Sequence, residues 1–149
     1  MEKYLKDDAN LRNVLLYLPQ KKYIFTNCNE IQARSALECL GVADCFEGIF
    51  GASFMGEYCK PNPIVFQRIF DHLNITDPST TCLFEDSFKN LVTASSLGMA
   101  TVLIESMTAI EEGVTDADRQ QVNCVLPSLS DADALITLQM KLPQLRLHE

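Results

Sequence analysis

The stretch CLFEDSFKNL, residues 82–91, sets two acidic side chains side by side directly after an apolar run. Adjacent carboxylates repel each other unless a cation lies close to both. The apolar residues up to Glu85 read as a strand. Phe88, Leu91 and Val92 then fall at helical spacing, and Gly98 closes that helix. Glu85 and Asp86 therefore stand where a strand gives way to a helix. In open α/β sheets, ligands bind beyond the carboxyl ends of the strands.

Working outward, the same alternation continues in both directions. Leu11, Val14, Leu15 and Leu18 form a helical stripe, with Asn10 expected as its N-cap and Pro19 as its stop. KKYIFTN follows as a short strand centred on Ile24. Ala33, Ala36, Leu37 and Leu40 repeat the helical spacing before Gly41, a good residue for a helix end. EGIFGA predicts a strand around Ile49. Phe66, Ile69, Phe70 and Leu73 predict a helix opened by Pro61 and Pro63. MATVLIE is the most strand-like run, continuous and β-rich as expected of a strand covered on both faces. Residues 105–123 are polar and acidic and predict a loop or poorly fixed segment. CVLP reads as one more short strand, and a last helix is expected to begin near Ser130. Strands alternating with helices predict a parallel sheet with helices on both faces, an α/β three-layer fold. Nothing divides the chain, so residues 1–149 are expected to form one domain.

Composition narrows the function. The net charge of -8 opposes sequence-independent binding to nucleic acid, which needs clustered cations, and opposes anionic membrane surfaces. No apolar run approaches the roughly 20 residues of a membrane span, and the first ten residues lack an apolar signal-peptide core. The six cysteines include no C-x-x-C pair, and the histidines are His72 and His148, which disfavours zinc. Without a secretory signal the cysteines are expected as reduced, small buried hydrophobes in a cytoplasmic protein.

Three polar clusters stand where strands give way to helices: Thr26 and Asn27 after the apolar residues Tyr23, Ile24 and Phe25, Lys60 and Pro61 before a helix, and Glu85, Asp86 and Ser87. Each alone has an ordinary reading. Thr26 and Asn27 fit a helix cap, Lys60 a solvated lysine, and the acids a helix first turn. Together they fit phosphoryl chemistry. Charge on a transferring phosphoryl group calls for hydrogen-bond donors and cations. The Thr26 hydroxyl suits one phosphate oxygen and the Lys60 ammonium another. Glu85 and Asp86 suit Mg²⁺, a hard cation that takes one or two carboxylates plus water and phosphate. Asn90, one turn beyond Asp86, is placed to orient it.

In order and spacing, YIFTN, CKPNPIVFQRIF and CLFEDSFKNLVTASSLGMATVLI resemble the second, third and fourth motifs of the haloacid dehalogenase-like superfamily of aspartyl-phosphate hydrolases. The resemblance covers residues 10–105 and is nearest to the pyrimidine 5′-nucleotidase-like branch. It implies a Rossmann-like core and a Mg²⁺-dependent phosphomonoester hydrolase of nucleotidase type, acting on a small phosphorylated metabolite such as a nucleoside monophosphate. Thr26, Asn27 and Lys60 would be catalytic, Glu85 and Asp86 would hold the metal, and Ser87 and Asn90 would support them.

The superfamily's first motif, D-x-D-x-[TV] at the end of an apolar strand, has no match upstream of residue 23. Asp7 and Asp8 are adjacent and follow no apolar strand. Asp116/Asp118 and Asp131/Asp133 lie downstream, where they read as loop or helix-start acids. The sequence is accordingly expected to represent the C-terminal two-thirds of such an enzyme. Residues 1–18 would be the remnant of a cap helix, 19–105 the motif-bearing core and 106–149 a final strand and helix. The resemblance places the absent strand between the strands ending at Thr26 and Glu85, so two open backbone edges, exposed helix stripes including Phe66, Ile69 and Phe70, and a homodimer are expected. The Lys60 ammonium would pair with the attacking carboxylate, and without it the chain is expected to be inactive. The alternative is a degenerate, non-catalytic paralogue that binds a partner or phosphate and hydrolyses nothing. A response-regulator receiver domain also uses an acidic pair and a lysine, but its acids end the first strand, whereas this pair follows residue 80.

Overall fold

A computed structural model describes residues 7–145; Met1 to residue 6, and residues 146–149 with His148, lie outside the described residues. Among the described residues, five short parallel strands are interspersed with eight α-helices. Strand β1 (Tyr23–Phe25) pairs with β2 (Gly48–Phe50), Ile24 opposite Ile49. Strands β3 (Cys82–Glu85), β4 (Ala100–Ile104) and β5 (Cys124–Leu126) form a second sheet in that order. The helices are α1 (Ala9–Tyr17), α2 (Glu30–Leu40), α3 (Ala52–Met55), α4 (Pro63–His72), α5 (Phe88–Ser96), α6 (Met107–Glu111), α7 (Asp116–Arg119) and α8 (Ala134–Lys141). This is the expected α/β architecture, a parallel β-layer between helices. Among the described residues the sheet divides between β1 and β3.

Two helices hold the halves together. Side chains of neighbouring strand residues point to opposite faces. On one face, α1 presents Val14 and Leu18 to Phe84 and Val102, and Leu15 to Ile24 and Ile49. On the other, α4 presents Phe66 against both Phe25 and Leu83, the Phe25 and Phe66 rings meeting edge-on with centroids 5.0 Å apart. The expectation that loss of a strand would expose the stripe of Phe66, Ile69 and Phe70 is therefore corrected. Phe66 and Phe70 are 1% and 3% exposed and Ile69 is partly covered, because α4 packs across the division. Strand β4 is buried on both faces, as its sequence implies; Thr101, Val102 and Leu103 are all buried.

Local chemistry sets the helix ends. Asp8, rather than Asn10, caps α1, its carboxylate accepting from the Leu11 N–H at 2.9 Å, and Pro19 follows its end. Gly41 ends α2 with φ 73°, a left-handed conformation that suits a residue without Cβ. Asn62 caps α4, with Pro63 in its first turn. The last helix begins at Ala134 rather than near Ser130. Ser128 and Asp131 bond the backbone N–H groups of Ser130 and Asp133, which favours turns over helix there. Residues 105–123 are not a loose loop. They form α6 and α7, the latter opened by a reciprocal Thr115–Asp118 cap and tied to the end of β4 by Arg119 and Glu105. Asp116 and Asp118 are thereby first-turn acids, as read.

The six cysteines are free thiols. Cys28 and Cys59 are exposed, Cys39, Cys45 and Cys82 are half-buried, and the expectation of buried cysteines holds fully at Cys124 alone. No described helix is long and apolar enough to cross a membrane.

Candidate active site

Strand β1 delivers Thr26 and Asn27 to its carboxyl end. The Thr26 N–H extends the ladder to the Phe50 carbonyl, and its hydroxyl oxygen accepts from the Cys28 N–H at 3.1 Å. These residues do not cap α2; Asn29 does, accepting from the Gln32 N–H. Asn27 instead reaches across the site. Its Oδ1 accepts from the Lys60 N–H at 3.0 Å and its Nδ2 donates to the Lys60 carbonyl at 3.5 Å. The loop before α4 is thus fastened to the end of β1 by one side-chain amide.

That fastening drives the Lys60 side chain inward. Lys60 is 8% exposed, far from the solvated lysine of the ordinary reading. Its Nζ donates to the Phe25 carbonyl and to Glu85 Oε2, each at 2.8 Å, and lies 4.7 Å from the Phe25 ring centre. One ammonium therefore links the carboxyl ends of β1 and β3 across the division in the sheet. Burial pushes the Glu85 carboxyl above the usual glutamate range, although the charge and hydrogen bond of Lys60 pull it back. Asn90 is also buried, and it lies close enough to Glu85 to favour that carboxyl's ionised form.

Asp86 turns the other way. Its Oδ2 accepts from the Thr108 hydroxyl at 3.2 Å and the Ser106 hydroxyl at 3.5 Å. Ser87 begins α5 without capping it; the Ser87 hydroxyl donates to Glu112 Oε2 at 2.6 Å. The structure thus unites Lys60, Glu85, Asn90 and Asn27 in one connected cluster, and Asp86 and Ser87 in an adjoining one. Thr26 sits at the strand end beside them.

Residues 2–98, more than half of the chain, match the family model of haloacid dehalogenase-like hydrolases. The chain belongs to the haloacid dehalogenase-like hydrolase family. It is similar to Phosphate metabolism protein 8 of Saccharomyces cerevisiae, with 29% identity over 134 residues, covering 80% of this chain and 42% of that protein. The chain therefore spans less than half the length of this curated relative. Among solved structures, a haloacid dehalogenase-like protein of unknown function from Agrobacterium tumefaciens superimposes with a TM-score of 0.71 at 20% identity, covering 93% of this chain and 64% of that one. The β-phosphoglucomutase of Clostridium difficile gives 0.54 at 22% identity, covering 76% and 45%. At these identities the structural likeness establishes the shared fold.

Members of the haloacid dehalogenase-like family imply Mg²⁺, and the donor chemistry here fits a hard cation in type. Glu85 and Asp86 offer carboxylate oxygens at the ligand-binding edge of the sheet. Among the described residues, no group of three or more acids, histidines or cysteines gathers for a metal. One oxygen of Glu85 is committed to Lys60.

Four residues of this haloacid dehalogenase-like site escape sequence reading. Ser106, Thr108 and Glu112 come from the segment read as a loop. Glu30 accepts from the N–H groups of Gly51, Ser53 and Phe54, closing the loop after β2 onto α2. A Cβ on Gly51 would lie 2.7 Å from the Cys28 carbonyl, so only glycine allows that approach. The single sequence signal was Ser106, a plausible helix cap before MTAIEE.

Proposed function

We propose that the chain carries the phosphate-facing half of a Mg²⁺-dependent phosphomonoester hydrolase of nucleotidase type. The observation that carries this is the buried Lys60 ammonium, held at the meeting point of two strand ends beside an acidic pair. A cation buried there, with donors around it, suits the spread negative charge of a phosphoryl group. The name of the yeast relative and the phosphoglucomutase fold likeness support phosphate chemistry. The Thr26 hydroxyl and the Asn27 amide would contact phosphate oxygens, and Lys60 would neutralise charge. Asp86, with Glu85, would hold Mg²⁺, which supplies further charge neutralisation. A nucleoside monophosphate is the expected substrate class. Free thiols suit a reducing, cytoplasmic setting.

The resemblance's first motif has no match upstream of residue 23, and on this reading the isolated chain would be inactive. The same observation favours a second reading, a non-catalytic paralogue that only binds. Phosphorus NMR of the purified chain separates them. With Mg²⁺ present, inorganic phosphate should bind in the millimolar range, Asp86→Asn should remove the Mg²⁺ dependence, and nucleoside monophosphates should not turn over. Absence of any phosphate binding would favour the second reading. Turnover that Asp86→Ala abolishes would overturn the inactivity.

A further inference from the structure

We infer that Thr108 and Glu112, on and just after α6, are positioning residues that fix the Asp86 carboxylate at the mouth of the site. The first N–H groups of a helix have no intrahelical partner and need an acceptor. In α5 the N-cap residue Ser87 does not supply one. Glu112 does so from a distant part of the chain. Its Oε1 accepts from the N–H groups of Phe88 at 2.8 Å and Lys89 at 3.3 Å, while its Oε2 accepts from the Ser87 hydroxyl at 2.6 Å. A carboxylate there also answers the positive end of the α5 dipole. From the same short helix, the Thr108 hydroxyl donates to Asp86 Oδ2. Ser106 donates to that oxygen as well, while accepting from the Thr108 N–H. Residues 86, 87, 88 and 89 are thus each gripped by one segment.

Core packing does not account for the grip. Met107 and Ile110 are 67% and 69% exposed, and Ala109 is the one buried residue of α6. Polar contacts to Asp86 and the start of α5 are therefore what dock this side of the helix. A carboxylate held by two hydroxyls cannot swing freely, so its remaining oxygen keeps a fixed direction. Outer partners of this kind are worth about 10–100-fold in affinity when the held carboxylate ligates a metal. The effect on metal affinity rests on the proposal that Asp86 is a cation ligand; the placement of Asp86 does not.

Manganese binding followed by electron paramagnetic resonance, with NMR of residues 86–89, tests this. Thr108→Val, which keeps shape and loses the hydroxyl, should weaken Mn²⁺ about 10–100-fold with little change in melting temperature. Thr108→Ser should restore it, which a purely structural role would not require. Glu112→Gln, a second variant that keeps one acceptor oxygen, should move the Ser87, Phe88 and Lys89 amide signals and weaken Mn²⁺ less. Unchanged Mn²⁺ affinity and unchanged Asp86 to Lys89 signals in Thr108→Val would overturn the inference. If the unaltered chain binds no Mn²⁺, the metal reading of Asp86 falls. The Asp86 carboxyl-carbon signal then decides: displaced in Thr108→Val and restored in Thr108→Ser supports the placement, and unmoved overturns it.

Discussion

Lys60 and Glu85 form a pair whose side chains are 6% and 10% exposed, so neither charge is easily left alone. Removing one partner of a buried pair destabilises by roughly 3–5 kcal/mol, whereas removing both is often far milder. Lys60→Met strands the Glu85 carboxylate. Its folded pKa, already raised by burial, then rises further because the two pulls of Lys60 towards ionisation are gone. A carboxyl with a raised folded pKa contributes stability below its unfolded pKa, and that contribution is lost as pH climbs through the folded value. We expect Lys60→Met to lie near the unaltered chain at acidic pH and to fall behind it increasingly towards neutrality. Lys60→Met/Glu85→Gln should recover part of the loss at neutral pH. Urea melts across pH check this, and a loss independent of pH would sink it. The charges themselves were legible as single residues at strand ends. Their pairing was not, because the chemistry of an acidic pair pointed both acids to a metal. The direction of Glu85 depends on how far Asn27 draws the Lys60 backbone inward.

Helices α1 and α4 act as clasps, since no strand hydrogen bonds join β1 to β3. Each clasp presents large apolar residues to both halves. Phe66→Ala should cost about 3–5 kcal/mol and Leu15→Ala about 2–5 kcal/mol, as expected for buried truncations. Amide exchange should quicken first in β1 and β2, because the two-stranded half has fewer ladder bonds than the three-stranded one. Equal acceleration in β4 would show that the halves open as one unit and would remove the clasp idea. At this scale most of the molecule was legible. Apolar spacing marked all five strands and the longer helices, because their buried faces repeat with the period of the element. The short helices α6 and α7 were hidden by polarity. They dock through hydroxyls, carboxylates and Arg119 more than through an apolar stripe. Capping chemistry was legible to within a residue or two: Asp8 took the place expected for Asn10 because its carboxylate reaches the Leu11 N–H.

At the scale of the whole molecule, the division between β1 and β3 leaves each half-sheet with an edge that no described strand covers. Helices α1 and α4 roof the position on its two faces. The two edges have not closed on each other. The carbonyl of Phe25 is satisfied by Lys60, which caps the carboxyl end of the division. Other edge groups gain no such partner from β1 or β3. A buried backbone group without a partner costs about 1–3 kcal/mol, and net stability of a domain is only ~5–15 kcal/mol. Open edges flanked by apolar side chains invite pairing with another chain. The pairing need not bury Phe66 or Phe70, which the fold already covers, so the attraction lies in backbone hydrogen bonds more than in exposed apolar stripes. We therefore expect this chain to self-associate, with an isologous dimer as the first species because that symmetry is the commonest for like subunits. Sedimentation at micromolar concentration should show a mass above the monomer, with a melting temperature that rises with protein concentration. A monomer that melts sharply at one temperature regardless of concentration would mean that the roofed division is tolerated without a partner, and the dimer would be abandoned.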